Sequence, residues 1–391
     1  MGSVPPTPIC DMTGEAEFRT CYRLSFVCLS TRIDTELETH NGGRDTQEMQ
    51  IALIGLPQAG KRTLFTMLSG RVVPDSREPG EVLEGIAPIR DRRVDALADI
   101  FQPEKAIYAE NQFVLCPDTT AGSGPPVWMK AARRCQLMCL VLRAFESDQV
   151  YHPSGSVDPK RDRDLLETEL VLADLELAET RLERLAKEAR AGLRAEQKME
   201  QDALEKCLPR LEAGDRLIGL DLPEHERQAI QSLDLVTFLP QLCVYNVSEG
   251  DLATDFGPGS VAISCKIEGE VMAIDDPVER QEYLEALGLE WSGLDRVNMA
   301  AYDALGLMSF YTVGEDECRA WTVSQGSLAP TAGGKVHSDI ERGFIRAEVI
   351  AYDDFVAAGS EQAAKAQGSL QTRGKDYVVS DGDILHFLFN V

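Results

Sequence analysis

Between residues 49 and 304 the apolar positions fall into short, nearly continuous runs: 51–55, 113–116, 137–142, 241–245 and 261–265. Runs of this kind, stopped by Gly, Pro or Asp, are the pattern of strands buried on both faces. Helical periodicity lies between them, first over 63–68 and then over 92–100. Strands interleaved with helices predict an α/β fold built on a parallel sheet. The stretch from Asp164 to about Leu211 departs from that rhythm. Leu172, Leu175, Leu182 and Leu185 recur at helical spacings, Gly192 makes a bend, and Met199, Leu204, Leu208 and Leu211 continue a second arm. An antiparallel helical hairpin inserted into the sheet domain is the expected structure. After Leu305 the runs shorten again, to 310–313, 318–323, 345–352, 377–379 and 384–389, with a single helix predicted over 332–342. A small β-rich domain of ordinary size accounts for them.

The predicted organisation is an extension over 1–48, a first sheet segment over 49–160, a helical insertion over 161–232, a second sheet segment over 233–304 and the β-rich domain over 305–391. The extension holds Pro5, Pro6, Pro8 and mixed charges, so it is expected to be disordered. Met49, immediately before the first strand, is an alternative start. The apolar run 24–29 has no small-residue cleavage site after it, and Pro6 stands where myristoylation prefers Ser or Thr. Neither a signal peptide nor a lipid anchor is expected.

Composition narrows the functional classes. The chain has 391 residues and a formal charge of −26. That charge opposes general affinity for nucleic acid, sequence-specific DNA included. One local exception is the hairpin bend, where Arg181, Arg184, Lys187, Arg190, Arg194 and Lys198 gather. The interspersed Glu183 and Glu188 suit a plain solvated face, and contact with RNA or another polyanion is the other reading. The ten cysteines are scattered, mostly in apolar runs (Cys116, Cys139, Cys243, Cys265). Reduced, buried thiols of a cytoplasmic protein look like this. Cys135 and Cys139 lack a second ligand pair, and the five histidines make no cluster, so zinc is not expected. No apolar run approaches the roughly 20 residues that span a bilayer.

The chemistry concentrates where the first strand ends. Gly55-Leu56-Pro57-Gln58-Ala59-Gly60-Lys61 is Gly-x-x-x-x-Gly-Lys between a strand and a helix. In that setting loop amides and the helix N-terminus face an anion, and Lys61 adds a mobile positive charge, the candidate catalytic group. The following position wants a Ser or Thr hydroxyl for Mg²⁺, and here it is Arg62, with Thr63 turned about 100° further round the helix. Asp118, past the second strand, is the candidate acid for the metal's water shell. Asn246-Val247-Ser248-Glu249 follows a later strand, where guanine-nucleotide proteins carry Asn-Lys-x-Asp. Glu249 is one methylene longer than the aspartate that reads guanine, which disfavours that base without establishing adenine. Ser264, with Cys265 and Lys266, ends the next strand where backbone and small side chains pack around a base.

Further stretches are more specific than the loop. They are the run from Asp164 to Leu175, Cys318-Arg319-Ala320-Trp321-Thr322, His337-Ser338-Asp339, Gly343 to Val349, Gly374 to Val379, and Asp381 to Phe387. With Gly55-Leu56-Pro57, Gly60-Lys61 and Asn246-Val247-Ser248-Glu249, they resemble the Obg-like ATPases of the YchF type over nearly everything from Met49 to Val391. The resemblance implies a P-loop NTPase sheet with a helical insertion, and a C-terminal TGS domain of ubiquitin-like (β-grasp) fold. It implies an ATPase with ATP preferred over GTP, Asn246, Val247 and Glu249 at the base, ribosome or ribosomal RNA as partner, and a cytoplasmic role in translation.

The departures fall on the metal and γ-phosphate side. The family's Ser-Thr after the lysine is Arg62-Thr63, and its Asn-Val before the second glycine is Gln58-Ala59. Its threonine-bearing metal clasp has no match over 72–90, and its glycine-rich switch is shortened to 123–126. Two functions remain open: a slow ATPase, and a hydrolysis-deficient nucleotide-binding scaffold or adaptor acting through the hairpin and the C-terminal domain.

Overall fold

The first predicted strand, β1 (Gln50–Ile54), lies inside a six-stranded sheet, with residues 51–54 wholly buried. The computed structural model describes residues 49–74, 80–118 and 127–390; the predicted extension over 1–48 and the shortened switch over 123–126 lie outside them. In chain order, α1 (Lys61–Ser69), β2 (Leu83–Pro88), α2 (Arg92–Phe101), β3 (Lys105–Ile107), β4 (Glu110–Leu115), α3 (Val127–Ala132) and β5 (Leu137–Ala144) follow β1. The hairpin is α4 (Pro159–Glu188) and α5 (Ala195–Glu212), and α6 (Glu224–Ile230) leads back to the sheet. Then come β6 (Gln241–Val247), β7 (Ser260–Ile263), α7 (Cys265–Met272), α8 (Pro277–Ala286) and α9 (Gly293–Ala304). The last part is β8 (Leu307–Val313), β9 (Glu317–Ser324), α10 (Ala329–Val336), α11 (Ser338–Gly343), β10 (Phe344–Ala351), α12 (Tyr352–Ala358), α13 (Glu361–Gln367), β11 (Gln371–Arg373) and β12 (Asp383–Phe389).

The first sheet has the order β2-β4-β1-β5-β6-β7, all parallel except β2, which runs antiparallel to β4. One face is covered by α1 and α9 through Leu64, Phe65, Leu68, Val297 and Ala301. The other carries α3, the base of α4 and α7, through Trp128, Leu166, Leu170, Ile267 and Val271. Both faces are therefore dry, which is why the central strands read as continuous apolar runs. The apolar run 261–265 ends as a strand at Ile263; Ser264 precedes α7, whose first residue is Cys265.

The hairpin packs through Val171, Ala178 and Leu185 on α4 and Ala203, Leu204, Cys207 and Leu211 on α5. Leu172, expected in this seam, is exposed at 53%. Val171 takes its place because the face turns with 3.6 residues per turn, and the leucine spacing tracks that turn only in part. Gly192 adopts φ +93° at the bend.

The second sheet has the order β11-β10-β12-β8-β9-β3. Its last strand, β3, comes from the middle of the first segment and pairs parallel to β9. Helix α2 joins the same core, where Val94 and Leu97 pack with Tyr311, Cys318, Ile350 and Phe355. Polar ties reinforce it: the Tyr311 hydroxyl donates to Asp91 at 2.5 Å and Arg93 to Asp381 at 2.6 Å. The single helix expected over 332–342 is two, α10 and α11, broken at His337. That residue is extended at φ −162°, and its ring Nδ1 accepts from the Asp339 amide at 3.1 Å. Residues 377–379 form no strand; Val378 makes one isolated bridge to Leu328. Among the described residues, no helix is long and apolar enough to cross a membrane.

Candidate functional site

Gly55 ends β1 where the chain passes β5 so closely that a Cβ would lie 2.4 Å from the Val141 carbonyl oxygen. The loop then turns with Gln58 at φ +64° and Gly60 at φ +101°, and α1 begins at Lys61. Lys61 is 3% exposed. Its Nζ donates to the carbonyls of Gly55 at 2.6 Å and Leu56 at 2.9 Å, and pairs with Asp118 Oδ1 at 2.8 Å. Burial lowers its pKa, and the Asp118 carboxylate opposes that shift. Three oxygens thus hold the ammonium at the N-terminus of α1, where the helix dipole also favours an anion. Arg62 and Thr63 are exposed, and Arg62 Nη2 lies 3.9 Å from Asp118 Oδ2.

Asn246 is buried at the end of β6, its side chain bonded in two directions. Its amide donates to the Ala59 carbonyl at 3.2 Å, and its oxygen accepts from the Cys265 amide at 3.1 Å. One side chain therefore ties the glycine loop to the start of α7. Val247 and Ser264 are buried beside it, while Glu249 is exposed and opens a short turn at 249–251.

These residues surround one cleft of about 690 Å³. It lies outside the carboxyl ends of β1, β5, β6 and β7, at the point where the strand order reverses, the usual place for a ligand in such a sheet. Pro57, Gln58, Gly60, Lys61, Arg62, Thr63, Asp118, Asn246, Val247, Glu249 and Ser264 all line it. Gly55 and Ala59 stand behind the loop, giving it the passage by β5 and the bond to Asn246.

Sequence reasoning missed the wall formed by Phe145, Glu146, Ser147 and Val150 after β5. That wall is fastened by Arg143, 2% exposed, which donates to the Phe145 carbonyl at 3.2 Å and the Tyr151 carbonyl at 3.3 Å. Next to it His152 Nδ1 accepts from the Ser154 amide at 3.1 Å, which leaves Nε2 to donate to Asp162 at 2.9 Å. The available signal was an arginine inside an apolar strand, since a buried charge must find partners.

Cys265, on the cleft wall, has its thiol pushed up to about 12 by burial, with Glu268 adding to the shift. Alkylation by iodoacetamide at pH 8 is therefore expected to run on a thiolate fraction of only about 10⁻⁴. The rate should rise about tenfold per pH unit below that pKa. A plateau near pH 9, followed by mass spectrometry of the labelled peptide, would contradict this.

At the hairpin bend Arg181 is committed to Glu200 through two bonds of 2.6 and 2.7 Å. Arg184, Lys187, Arg190 and Lys198 are exposed and make no ion pair among the described residues.

A parallel sheet with Gly-x-x-x-x-Gly-Lys between an inner strand and the next helix, opening on a cleft at the switch point, defines a P-loop nucleotide-binding protein. Comparison with known proteins agrees. The family model YchF-GTPase_C, described as a protein of unknown function (DUF933), matches residues 307–390. The chain is 38% identical over 359 residues to the "Ribosome-binding ATPase YchF" of Escherichia coli O157:H7, covering 87% of this chain and 98% of that one. The protein of the same name from Bacillus subtilis (strain 168) is 35% identical over 362 residues, with the same coverage of 87% and 98%. The solved structure of the Schizosaccharomyces pombe YchF GTPase is 28% identical with a TM-score of 0.74, covering 88% of this chain and 99% of that one. The chain belongs to the YchF family.

Proposed function

We propose that this chain binds ATP in preference to GTP in the cleft described, hydrolyses it slowly, and acts in the cytoplasm as a ribosome-associated regulator of translation. The observation that carries the nucleotide reading is the Lys61 ammonium, buried at the head of α1 and opening on a cleft large enough for a nucleotide. Lys61, Arg62 and the loop residues Gly55 to Gly60 take the phosphates. Asn246, Val247, Glu249 and Ser264 take the base side, with Glu249 placed at the rim where guanine would need a shorter carboxylate. Ribosome binding stands in the names of the Escherichia coli and Bacillus subtilis relatives, and the exposed Arg184, Lys187, Arg190 and Lys198 offer charge suited to RNA phosphate. Residues 305–391, whose strands carry α10 and α11 on one face, are the stretch for which the resemblance implies a TGS domain.

The described residues of the cleft do not fit Mg²⁺. Position 62 offers guanidinium donors where the ion needs an oxygen, and the Asp118 carboxylate already faces Lys61 and Arg62. This favours slow turnover, because phosphoryl transfer depends on neutralising and positioning the phosphates. It also supports a second reading, a hydrolysis-deficient scaffold acting through the hairpin and the second sheet.

The test is calorimetric titration of the full chain with ATP, GTP and ADP, beside co-sedimentation with ribosomes. ATP is expected to bind about tenfold or more tighter than GTP, the scale of one mismatched polar contact. Equal affinities would remove the role given to Glu249. Co-sedimentation without any nucleotide affinity would favour the scaffold.

A further inference from the structure

We propose that this chain takes its nucleotide as the metal-free triphosphate, with the Arg62 guanidinium standing where a hydroxyl would otherwise hold a divalent cation. The proposal rests on the nucleotide reading above and goes beyond it to the form of the ligand.

In a loop of this kind the residue after the lysine gives its hydroxyl to Mg²⁺, which bridges the last two phosphates. Arg62 reverses the polarity of that position. It carries a permanent positive charge, five N–H donors and no acceptor. Its side chain is 51% exposed, and it lines the cleft beside Lys61. Thr63 also lines the cleft, but the helix turns it about 100° away from the direction of position 62.

The carboxylate nearest the loop is engaged by the same two cations. Asp118 Oδ1 is 2.8 Å from Lys61 Nζ, and Oδ2 is 3.9 Å from Arg62 Nη2. A divalent ion placed here would meet two fixed positive charges and share one carboxylate with both. A triphosphate would meet the opposite field: two cationic side chains and the positive end of α1. A guanidinium pairs two phosphate oxygens as a fork, which supplies the geometry that a bridging ion supplies elsewhere.

The sign of the Asp118 effect separates the two possibilities. Where a metal is held, the carboxylate helps binding by holding the ion's water shell. Without a metal it faces the phosphates directly and competes with them for Lys61 and Arg62. Neutralising it then strengthens binding.

The experiment is calorimetric titration with ATP, in excess Mg²⁺ and in chelator, of the wild-type chain, Arg62→Ser and Asp118→Asn, each with a melting curve to establish folding. The wild type is expected to show affinities within about threefold of each other in the two conditions. Arg62→Ser should lose about tenfold or more in chelator and regain it with Mg²⁺, the scale of a metal-site substitution. Asp118→Asn should bind severalfold more tightly than wild type in chelator. A wild type that needs Mg²⁺, an Arg62→Ser protein that stays indifferent to it, or weaker binding by Asp118→Asn would each overturn the proposal while leaving the nucleotide reading intact. Binding of ATP by none of the three, in either condition, would overturn both.

Discussion

Alanine at Asp174 is expected to cost about 3–5 kcal/mol of stability, the usual consequence of removing one partner from a buried ion pair. Asp174 is wholly buried on α4, on the face that also carries Val171 and Ala178. Its Oδ1 accepts from Arg133 at 2.8 Å, and its Oδ2 accepts from the Thr237 amide at 2.8 Å and the Thr237 hydroxyl at 2.7 Å. Arg133 also donates to the carbonyls of Asp234 at 2.8 Å and Ala173 at 3.2 Å. One carboxylate thus joins the end of α3, the middle of α4 and the turn before β6, and so sets how the hairpin leaves the sheet. Without it, the Thr237 amide loses its acceptor and the largely buried Arg133 guanidinium loses its only carboxylate partner among the described residues. Asn keeps the shape and part of the bonding, so Asp174→Asn should cost less, about 1–3 kcal/mol. Urea denaturation of the three proteins measures this. A loss below about 1 kcal/mol for Asp174→Ala would mean that the chain repacks and that this pair is not what holds the hairpin base.

Gly60→Ala is expected to lower nucleotide affinity about 100-fold or more, the effect of misplacing a phosphate-binding loop by an ångström. Gly70→Ala is the control. Both glycines have positive φ, +101° and +67°, where a side chain is strained. They differ in their surroundings. A Cβ on Gly70 would meet nothing within 4 Å, whereas a Cβ on Gly60 would lie 2.4 Å from Asn246 Nδ2. The Asn246 bond to the Ala59 carbonyl would have to give, and with it the tie between the loop and α7. Strain alone is expected to cost each variant about 1–2 kcal/mol of stability. Only Gly60→Ala should lose the ligand. Titration with ATP beside a denaturation curve separates the two effects, and normal ATP binding by Gly60→Ala would show that the loop does not need its present path.

How much of this was legible follows from where each signal is written. The β1, loop and α1 unit was readable because its strand, turn glycines and helix are contiguous and its strand is buried on both faces. Strand β2 was not, because only one of its faces is covered: Leu83, Gly85 and Ala87 are buried, and Glu84, Ile86 and Pro88 are exposed. A short alternating strand with Gly and Pro reads as loop. Strands β3 and β11 are three residues each, too short to show any period, and exist because an edge of the second sheet accepts them. The break between α10 and α11 depends on the extended backbone of His337, which a periodicity count cannot see.

The candidate site divides in the same way. The sequence by itself determined the class of fold, the phosphate loop with its lysine, the exchange of a hydroxyl for Arg62, and the family to which the chain belongs. Each of these depends on residue type and spacing over a few neighbouring positions. Only the tertiary structure decided that Asn246 ties the loop to α7, that Arg143 fastens the cleft wall, and that Asp118 meets Lys61 and Arg62. It alone also joined β3 and α2 to the second sheet. The physical reason is that apolar periodicity records how one element is buried, whereas a polar side chain's role is set by its partner. For Asn246 and Ala59 that partner lies 187 residues away along the chain.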